Sequence, residues 1–355
     1  MALLFYDGFD HYTTATQKWD ALDIRIGNSG LNSAYARLGG QGGQGFRSQV
    51  QPFVDGNTYT ILTKAITNRT TVVVGVAFYL YAWPFDGMLL QLRDTVTNQI
   101  DVRIDASRGM YATRNATVVI PSAGATALAL QRWYFLEVKV VVNPGSTGYV
   151  ELRLDGTTRG TFTGNTSATG SININRVVLG TQIPSAPNGQ QEAWFDDIYV
   201  LEADSGSGVV DFLGDCRVQM LLPSGSGTTT QLNRGGTQPS NWQSVNEIPP
   251  DTATTVYGNT AGMYDTYDYP PLVPATNRVI AVAQSFIWQR DDAGPRTATA
   301  RVRFAGNEAD FAAPVIPLTN TYAIQQQIQE TSPISGSAWA LSEVNNFEVG
   351  PKVAT

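Results

Sequence analysis

The sequence contains one cysteine and one histidine in 355 residues. Cys216 has no partner for a disulfide within the chain, and a structural zinc site, which takes about four Cys and His ligands, is excluded. Histidine-dependent nucleophilic catalysis would have to run through His11, in the run Asp10-His11-Tyr12, which reads as an exposed loop position. Charge is also scarce. Asp, Glu, Lys and Arg make up 15% of the chain, against ~25% in ordinary soluble proteins. The formal net charge is −7, and no Lys/Arg cluster occurs, so the electrostatic footprint of a nucleic-acid binder is missing. No run reaches the ~18 apolar residues of a membrane-spanning helix, and no membrane insertion is expected. The start, Met1-Ala2-Leu3-Leu4-Phe5-Tyr6-Asp7, lacks the basic region and apolar core of a secretory signal. Synthesis and folding in a cytoplasm are therefore expected. Amphipathic helical periodicity is missing from the first 200 residues.

What the chain has instead is turns, small polar residues and strand patterns. Thirty-four glycines and 18 prolines supply breaks without reaching a disordered composition. A hydrophobic fraction of 42% suits a globular chain, and the length argues for two domains. The stretch 72–81, Val-Val-Val-Gly-Val-Ala-Phe-Tyr-Leu-Tyr, is apolar on both faces and predicts an inner strand covered on both sides. Ile100, Val102 and Ile104 alternate with Asp101, Arg103 and Asp105, which places the first set inward and the second outward. Tyr134, Leu136, Val138, Val140 and Val142 share one face. Val150, Leu152 and Leu154 answer them, and Asp155-Gly156 turns the chain into a hairpin. Residues 11–50 are polar and Gly-rich, and the glycine run within them reads as a flexible loop between strands. The run Gly39-Gly40-Gln41-Gly42-Gly43-Gln44-Gly45 is not a phosphate loop, because no Gly-Lys-Ser/Thr ending follows.

The expected fold class is all-β: a jelly-roll sandwich over 1–203, a linker at 204–208, and a second, smaller β-sandwich over 209–355. In the second region 216–223, 278–289 and 298–304 read as strands, 322–330 fits a strand or a short helix, 339–344 a helical turn, and 347–350 a last strand. The long polar stretch 224–271 carries Trp242, Tyr257, Tyr264, Tyr267 and Tyr269. These are candidate interface residues, since Tyr and Trp bury large area at low entropy cost. The stretch 191–200, Gln-Glu-Ala-Trp-Phe-Asp-Asp-Ile-Tyr-Val, reads as the strand closing the first domain. Its adjacent Asp196 and Asp197 point to opposite faces if the strand is regular.

Leu4-Phe5-Tyr6-Asp7-Gly8-Phe9-Asp10, the central strand 72–81, the hairpin 134–154 and Trp194-Phe195-Asp196-Asp197-Ile198-Tyr199-Val200 together resemble the concanavalin-A-like, laminin-G-like jelly rolls. That resemblance implies first and last strands lying side by side. It also implies a structural calcium near them, for which Asp7, Asp10 and Asp197, with Asp196 as the alternative, are the candidate ligands. Some members hydrolyse glycans with a Glu-x-Asp-x-x-Glu strand, and retaining hydrolysis needs two carboxyls ~5–5.5 Å apart. The sequence has no such motif. Trp83, Tyr79, Tyr81 and Trp133 are candidates for stacking on sugars, set against a core role. The second half resembles a C-terminal region of tailed-bacteriophage structural proteins. The resemblance is carried by Leu213-Gly214-Asp215-Cys216-Arg217-Val218, Leu221-Leu222-Pro223-Ser224-Gly225, Asn241-Trp242, Val245-Asn246-Glu247, Pro250-Asp251, Asp265-Thr266-Tyr267, Arg290-Asp291-Asp292-Ala293-Gly294, and the stretch 339–350.

Together these resemblances imply a non-enzymatic structural protein of the virion, as capsid decoration, fibre or tail component. It would be made in the bacterial host cytoplasm and would pack against copies of itself and other virion proteins, with no required cofactor. The alternative is a carbohydrate-binding tail protein that recognises a host surface glycan, and the third reading is a glycan depolymerase.

Overall fold

The computed structural model describes residues 2–37, 43–51, 56–122, 127–184, 189–202, 212–248, 250–272, 278–311 and 316–355. The expected linker 204–208 and the glycines Gly39, Gly40 and Gly42 lie outside the described residues. The chain divides into two compact units, the first ending at Val218 and the second beginning at Gln219. The boundary is therefore ten residues beyond the expected start at 209. Residues 216–223 do not form a strand; the part up to Val218 belongs to the first unit.

The first unit has strands β1 (Ala2–Asp7), β2 (Ala21–Arg25), β3 (Gly27–Asn32), β4 (Gly45–Val50), β5 (Thr58–Arg69), β6 (Thr71–Ala82), β7 (Gly87–Asp94), β8 (Thr97–Ile104), β9 (Met110–Arg114), β10 (Thr117–Ile120), β11 (Trp133–Val141), β12 (Gly148–Leu154), β13 (Thr157–Gly164), β14 (Ile174–Ile183) and β15 (Gln191–Glu202). A front sheet runs β13-β12-β11-β6-β15-β4-β3, with β1 also on β15, and a back sheet runs β10-β9-β8-β7-β14-β5-β2. Together they form the jelly-roll sandwich.

Alternation sets what lies between the sheets. Val72, Val74, Val76, Phe78 and Leu80 of β6 meet Leu136, Val138 and Val140 of β11 and Val150, Leu152 and Leu154 of β12, all essentially without exposure. Burying each such side chain is worth about 1.5–3 kcal/mol. From the back sheet Ile100, Val102 and Ile104 contribute as expected. Asp155 (φ 49°) and Gly156 (φ 75°) make the tight turn between β12 and β13, the positive-φ pair that matches strand twist. Asp101, expected at a solvated face, is buried, and burial pushes its carboxyl up to about 6.

Residues 11–50, polar and without a strand pattern of their own, hold β2, β3 and β4. Their partners are what make these polar segments strands. β4 pairs with β15 from Val50↔Gln191 to Phe46↔Phe195, and β3 pairs along all of β4. The expected pairing of first and last strands is present: Leu3 faces Leu201, Tyr6 faces Tyr199 and Asp7 faces Ile198. β15 therefore changes neighbour midway, from β4 to β1. At that changeover the ladder shifts, and Asp197 takes φ 50°, a bulge that breaks the strict alternation expected of Asp196 and Asp197.

The second unit is also all-β. Its main sheet orders Gly225–Thr230, Asp265–Asp268, Glu348–Val353, Thr297–Phe304 and Asn307–Asp310, and Val282–Trp288 pairs separately with Ala323–Gln329. The ambiguous 322–330 segment is thus a strand. The helical turn is Leu341–Val344. Phe286, Ala300, Val302, Phe311, Trp339, Val344, Phe347 and Val349 form its core.

Candidate functional site: the outer face of the front sheet

The residues nominated for calcium are committed to protein donors. Asp7 accepts hydrogen bonds from Phe9 N (3.1 Å), Lys18 Nζ (2.9 Å), Trp19 Nε1 (2.8 Å) and the Tyr12 hydroxyl. Burial acts against its charge, but Lys18 and the other donors hold its pKa below the usual carboxylate range. The ammonium of Lys18 takes the place the cation was expected to fill. Asp10 accepts Gln44 N, and Asp197 accepts Val218 N and Arg37 Nη1. Among the described residues no three His, Cys, Asp or Glu side chains are grouped to hold a metal ion. His11 is not the exposed loop residue expected. It packs edge-on against Tyr12 at 4.9 Å, and burial drives its pKa down to about 4.

The aromatic interface candidates also change. Tyr267 is buried with its hydroxyl on Asp265, and Tyr269 packs against the second core. Tyr264 donates to Glu308 and lies under Arg301. Trp242 is half-buried in a short 3₁₀ turn. Only Tyr257 of the five is exposed. Tyr257 and Tyr267 are strand residues and Tyr264 makes an isolated bridge to Lys352, which the irregular look of 224–271 concealed. Trp83, nominated for sugar stacking, is core and donates to Ile104 O.

The outer face of the front sheet differs along its length. On β6 the outward residues are Val73, Gly75, Ala77, Tyr79 and Tyr81, and the register extends each across the sheet. At one end Val73, Ala77, Phe135, Tyr199 and Leu201 form an apolar cluster covered by Phe212, Leu213 and Cys216. The covering segment crosses the strands, as its anchors show. Arg153 of β12 sits 3.8 Å over the Phe212 ring. Leu213 N donates to the Tyr199 hydroxyl (3.2 Å) and Gly214 N to Glu137 (2.8 Å). Asp215 takes both oxygens to Arg37 Nη2 (2.5 and 2.6 Å), and Val218 N donates to Asp197 (2.7 Å). Gly75 is required beneath it, because a Cβ there would lie 2.1 Å from the Tyr199 ring.

Asp196 and Asp197, expected to face opposite ways, both meet Arg37. Its backbone N–H donates to Asp196 (2.9 Å) and its guanidinium to Asp197 (3.2 Å). Burial, with Asp197 and Asp10 nearby, pushes Asp196 up to about 9, so it is protonated at neutral pH. Burial also raises Asp10 to about 8 and Asp197 to about 6.

The other end is aromatic and is covered by Tyr35: Tyr79 is 8% and Trp194 2% exposed, Trp133, Tyr81 and Arg47 are half-buried, and Tyr35 itself is exposed. One cross-strand row reads Trp133 (β11), Tyr79 (β6), Trp194 (β15) and Arg47 (β4), each directly paired with the next. With strands ~4.8 Å apart, the row spans about 14 Å. Tyr79 lies 5.6 Å from Trp133. Tyr35, from the loop after β3, stacks on Tyr79 at 5.1 Å and meets Tyr81 at 5.5 Å and Trp194 at 5.2 Å. Glu192 organises the polar end. It accepts Arg47 Nε (3.0 Å) and Nη2 (2.9 Å), Gln49 (2.9 Å), Gln190 (2.8 Å) and Trp194 Nε1 (2.9 Å). Burial works to raise its pKa, but the Arg47 fork, Trp194 and Gln49 hold it low, so it is a fixed carboxylate. Arg47 Nη1 takes no part in that fork. Burial raises the Tyr79 pKa, so its phenol keeps its proton. Tyr79, Tyr81 and Trp133 were nominated by composition. Tyr35, Arg47, Gln49 and Glu192 were not, because only strand register brings them together.

No family model and no curated protein matches the chain. Among solved structures it is similar to an endo-β-1,4-glucuronan lyase from the fungus Trichoderma reesei, at 15% identity over 57% of this chain and 98% of that one, TM-score 0.46. It is similar to a marine alginate lyase from Aplysia kurodai at 8% identity, over 57% and 100% of the two chains, TM-score 0.42. An alginate lyase from Corynebacterium sp. is similar at 13% identity, over 54% and 98%, TM-score 0.37. The similar structures are polysaccharide lyases rather than the non-enzymatic structural proteins expected, and the likeness is one of fold.

Proposed function

We propose that the first unit is a glycan depolymerase that binds an acidic polysaccharide across the aromatic end of the front sheet's outer face and cleaves it by elimination. The observation that carries this reading is the row Trp133–Tyr79–Trp194–Arg47, capped by Tyr35. Tyr35 is exposed and Trp133 half-buried, so theirs are the aromatic faces that can meet the apolar faces of pyranose rings, and the row ends in a half-buried arginine whose Nη1 lies outside the Glu192 fork. Arginine suits a uronate carboxylate because its planar donors match it. Neutralising that carboxylate acidifies the neighbouring C–H; its proton passes to solvent water as the C–O bond breaks and the C=C bond forms, while Tyr79 gives its proton to the departing glycosidic oxygen and is reprotonated from solvent. Hydrolysis fits less well. Glu192 is the carboxylate of this row and is saturated by five hydrogen bonds, whereas two carboxyls working together are needed for that reaction.

The test is incubation with polyglucuronate, alginate and a neutral glucan, following the ultraviolet absorbance of unsaturated uronates. The expected result is product from an acidic polymer and none from the glucan. Binding without product would reduce the row to a recognition surface. The absence of both binding and product with every acidic polymer would overturn the proposal.

A further inference from the structure

The back sheet carries a pair of like charges on the face turned away from the sandwich core. Leu92 of β7 and Val177 of β14 are paired with each other and buried between the sheets. Their neighbours Arg93 and Arg176 are also directly paired, and strand alternation sets both on the outer face. Both residues are half-buried. Arg69, Arg103 and Arg153, on other strands of this unit, each hold a carboxylate. Among the described residues Arg93 and Arg176 form no ion pair. Arg93 Nε (2.9 Å) and Nη2 donate to Gln91 Oε1, and Nη1 stays out of that contact. Asp94, next in the chain, is turned to Ser171 and to Asn175 (2.8 Å) instead. Burial lowers the Arg93 pKa; Asp101 and Asp23 act against the fall, and Arg176 adds to it. Like charges directly opposite on neighbouring strands destabilise a sheet. The chain has a net charge of −7, yet this pair is left without a carboxylate in contact.

We propose that Arg93 and Arg176 form a binding site for one small divalent oxyanion, sulfate or hydrogen phosphate, separate from the glycan site on the front sheet. Two guanidiniums one strand spacing apart, ~4.8 Å, can each donate to oxygens of the same ion. The bound ion turns a repulsion into two charge-assisted contacts, and its two negative charges match the two positive ones. The next row on this face, Gln91 and Val178, is buried. An incoming anion therefore meets the guanidinium pair rather than a longer stretch of the sheet, which suits a small ion better than a polymer. Asp101 tunes the site without touching the ion. It is the ladder partner of Gln91 and is 6% exposed, and its Oδ1 has no hydrogen-bond partner among the described residues. Burial raises its pKa to about 6, with Arg103, Gln91 and Arg93 acting against the rise; its neighbour on β9 is the uncharged Thr113. Above that pH Asp101 is a negative charge near the pair and repels an incoming anion. Below it the repulsion is gone, so affinity rises as pH falls through about 6.

The experiment titrates the full chain with sodium sulfate, and separately with sodium phosphate, in place of sodium chloride at constant ionic strength. It follows the arginine Nε–Hε resonances and the melting temperature. The expected result is a saturable change at Arg93 and Arg176, with a rise in melting temperature that chloride does not give. A response to either ion supports the site and tells which one it prefers. Arg93→Gln and Arg176→Gln are each expected to weaken the ion by about tenfold or more, the size of one charge-assisted hydrogen bond. Arg176→Gln is also expected to leave the ion-free protein at least as stable as wild type, because it removes the repulsion. A loss of ion-free stability there would make the arginine structural and overturn the site. A stabilisation that never saturates and is equal in wild type and variants is general salting-out and overturns it as well. Loss of the response in Arg47→Gln, with both other variants unaffected, places the ion on the front sheet and overturns the assignment. Sulfate affinity of the wild type, measured from about pH 8 to pH 5, is expected to rise about threefold or more through pH 6, the scale of one charge a few ångströms beyond contact. Asp101→Asn is expected to hold the higher value at every pH. A flat wild-type profile overturns the part assigned to Asp101.

Discussion

The two ends of the front sheet's outer face each bury a glutamate, and the contrast between those glutamates separates closure from function. Glu137, under the segment 212–218, takes the Gly214 main-chain N–H and the Tyr199 hydroxyl. Glu192, at the aromatic end, takes only side chains: Arg47, Gln49, Gln190 and Trp194. A carboxylate filled by the protein's own backbone seals a surface permanently. A carboxylate filled by side chains that also reach outward orients donors for something else. Burial of a charge demands partners at both ends, and what differs is which groups those partners leave facing the surface.

The comparison can be broken by substitutions, beginning at the aromatic end. Tyr79→Phe removes the proton donor and keeps the ring, so cleavage of an acidic polymer should fall by about 10²-fold or more with oligosaccharide affinity nearly unchanged. An equal loss of affinity and rate would make Tyr79 a binding residue only. At the covered end, Gly75→Ala forces the Tyr199 ring off β6 and should destabilise the first unit by about 1–3 kcal/mol, measured by denaturant unfolding. A neutral result would mean that the ring has room to move and that the covered end is not tightly closed.

The buried acids between the two ends give a pH test. Asp10 and Asp196 have folded pKa values raised to about 8 and about 9, above the ordinary carboxylate value of 3.8. Raised values mean the folded state holds protons that the unfolded state releases. Their contribution is therefore fully present below about pH 4 and is lost as pH rises through 8 to 9. Asp196→Asn should flatten the stability profile across that window, and a slope identical to wild type would show that Asp196 is ionised in the fold. Tyr35→Ala should lower glycan affinity by about 0.5–1.5 kcal/mol, the size of an aromatic contact, without moving the melting temperature. The smallest effect is expected from chelation. Because Lys18 neutralises Asp7 and Arg37 neutralises Asp197, a chelator should leave the melting temperature unchanged, and a drop would restore the calcium site.

The strands that form the core were legible because alternation reports burial directly. Residues 72–81, 134–142 and 149–154 announce themselves in this way, and Asp155-Gly156 announces its turn. β2, β3 and β4 were not legible. Their residues are polar on the exposed side, and what makes them strands is pairing with β5 and β15, more than 30 residues away in sequence. The site was less legible than the fold. Asp196 and Asp197 drew notice as adjacent acids in an apolar strand, but their convergence on Arg37 depends on a bulge that occurs where β15 exchanges β4 for β1. Arg47 and Glu192 are 145 positions apart and meet only through the β4–β15 register. The segment 212–218 looked like the start of a second domain because its sequence has strand-like composition, while its amides at 213, 214 and 218 go to side chains rather than to a neighbouring strand.

The central claim is that the aromatic end of the front sheet's outer face, topped by Tyr35, is where a glycan lies. Hydrogen exchange of the full chain with and without a saturating acidic oligosaccharide tests this most directly. The predicted result is slowed exchange confined to the ends of β4, β6, β11 and β15 that carry Arg47, Tyr79, Trp133 and Trp194, together with the loop bearing Tyr35. Slowed exchange on the back sheet or in the second unit, with those four strand ends unchanged, would contradict it.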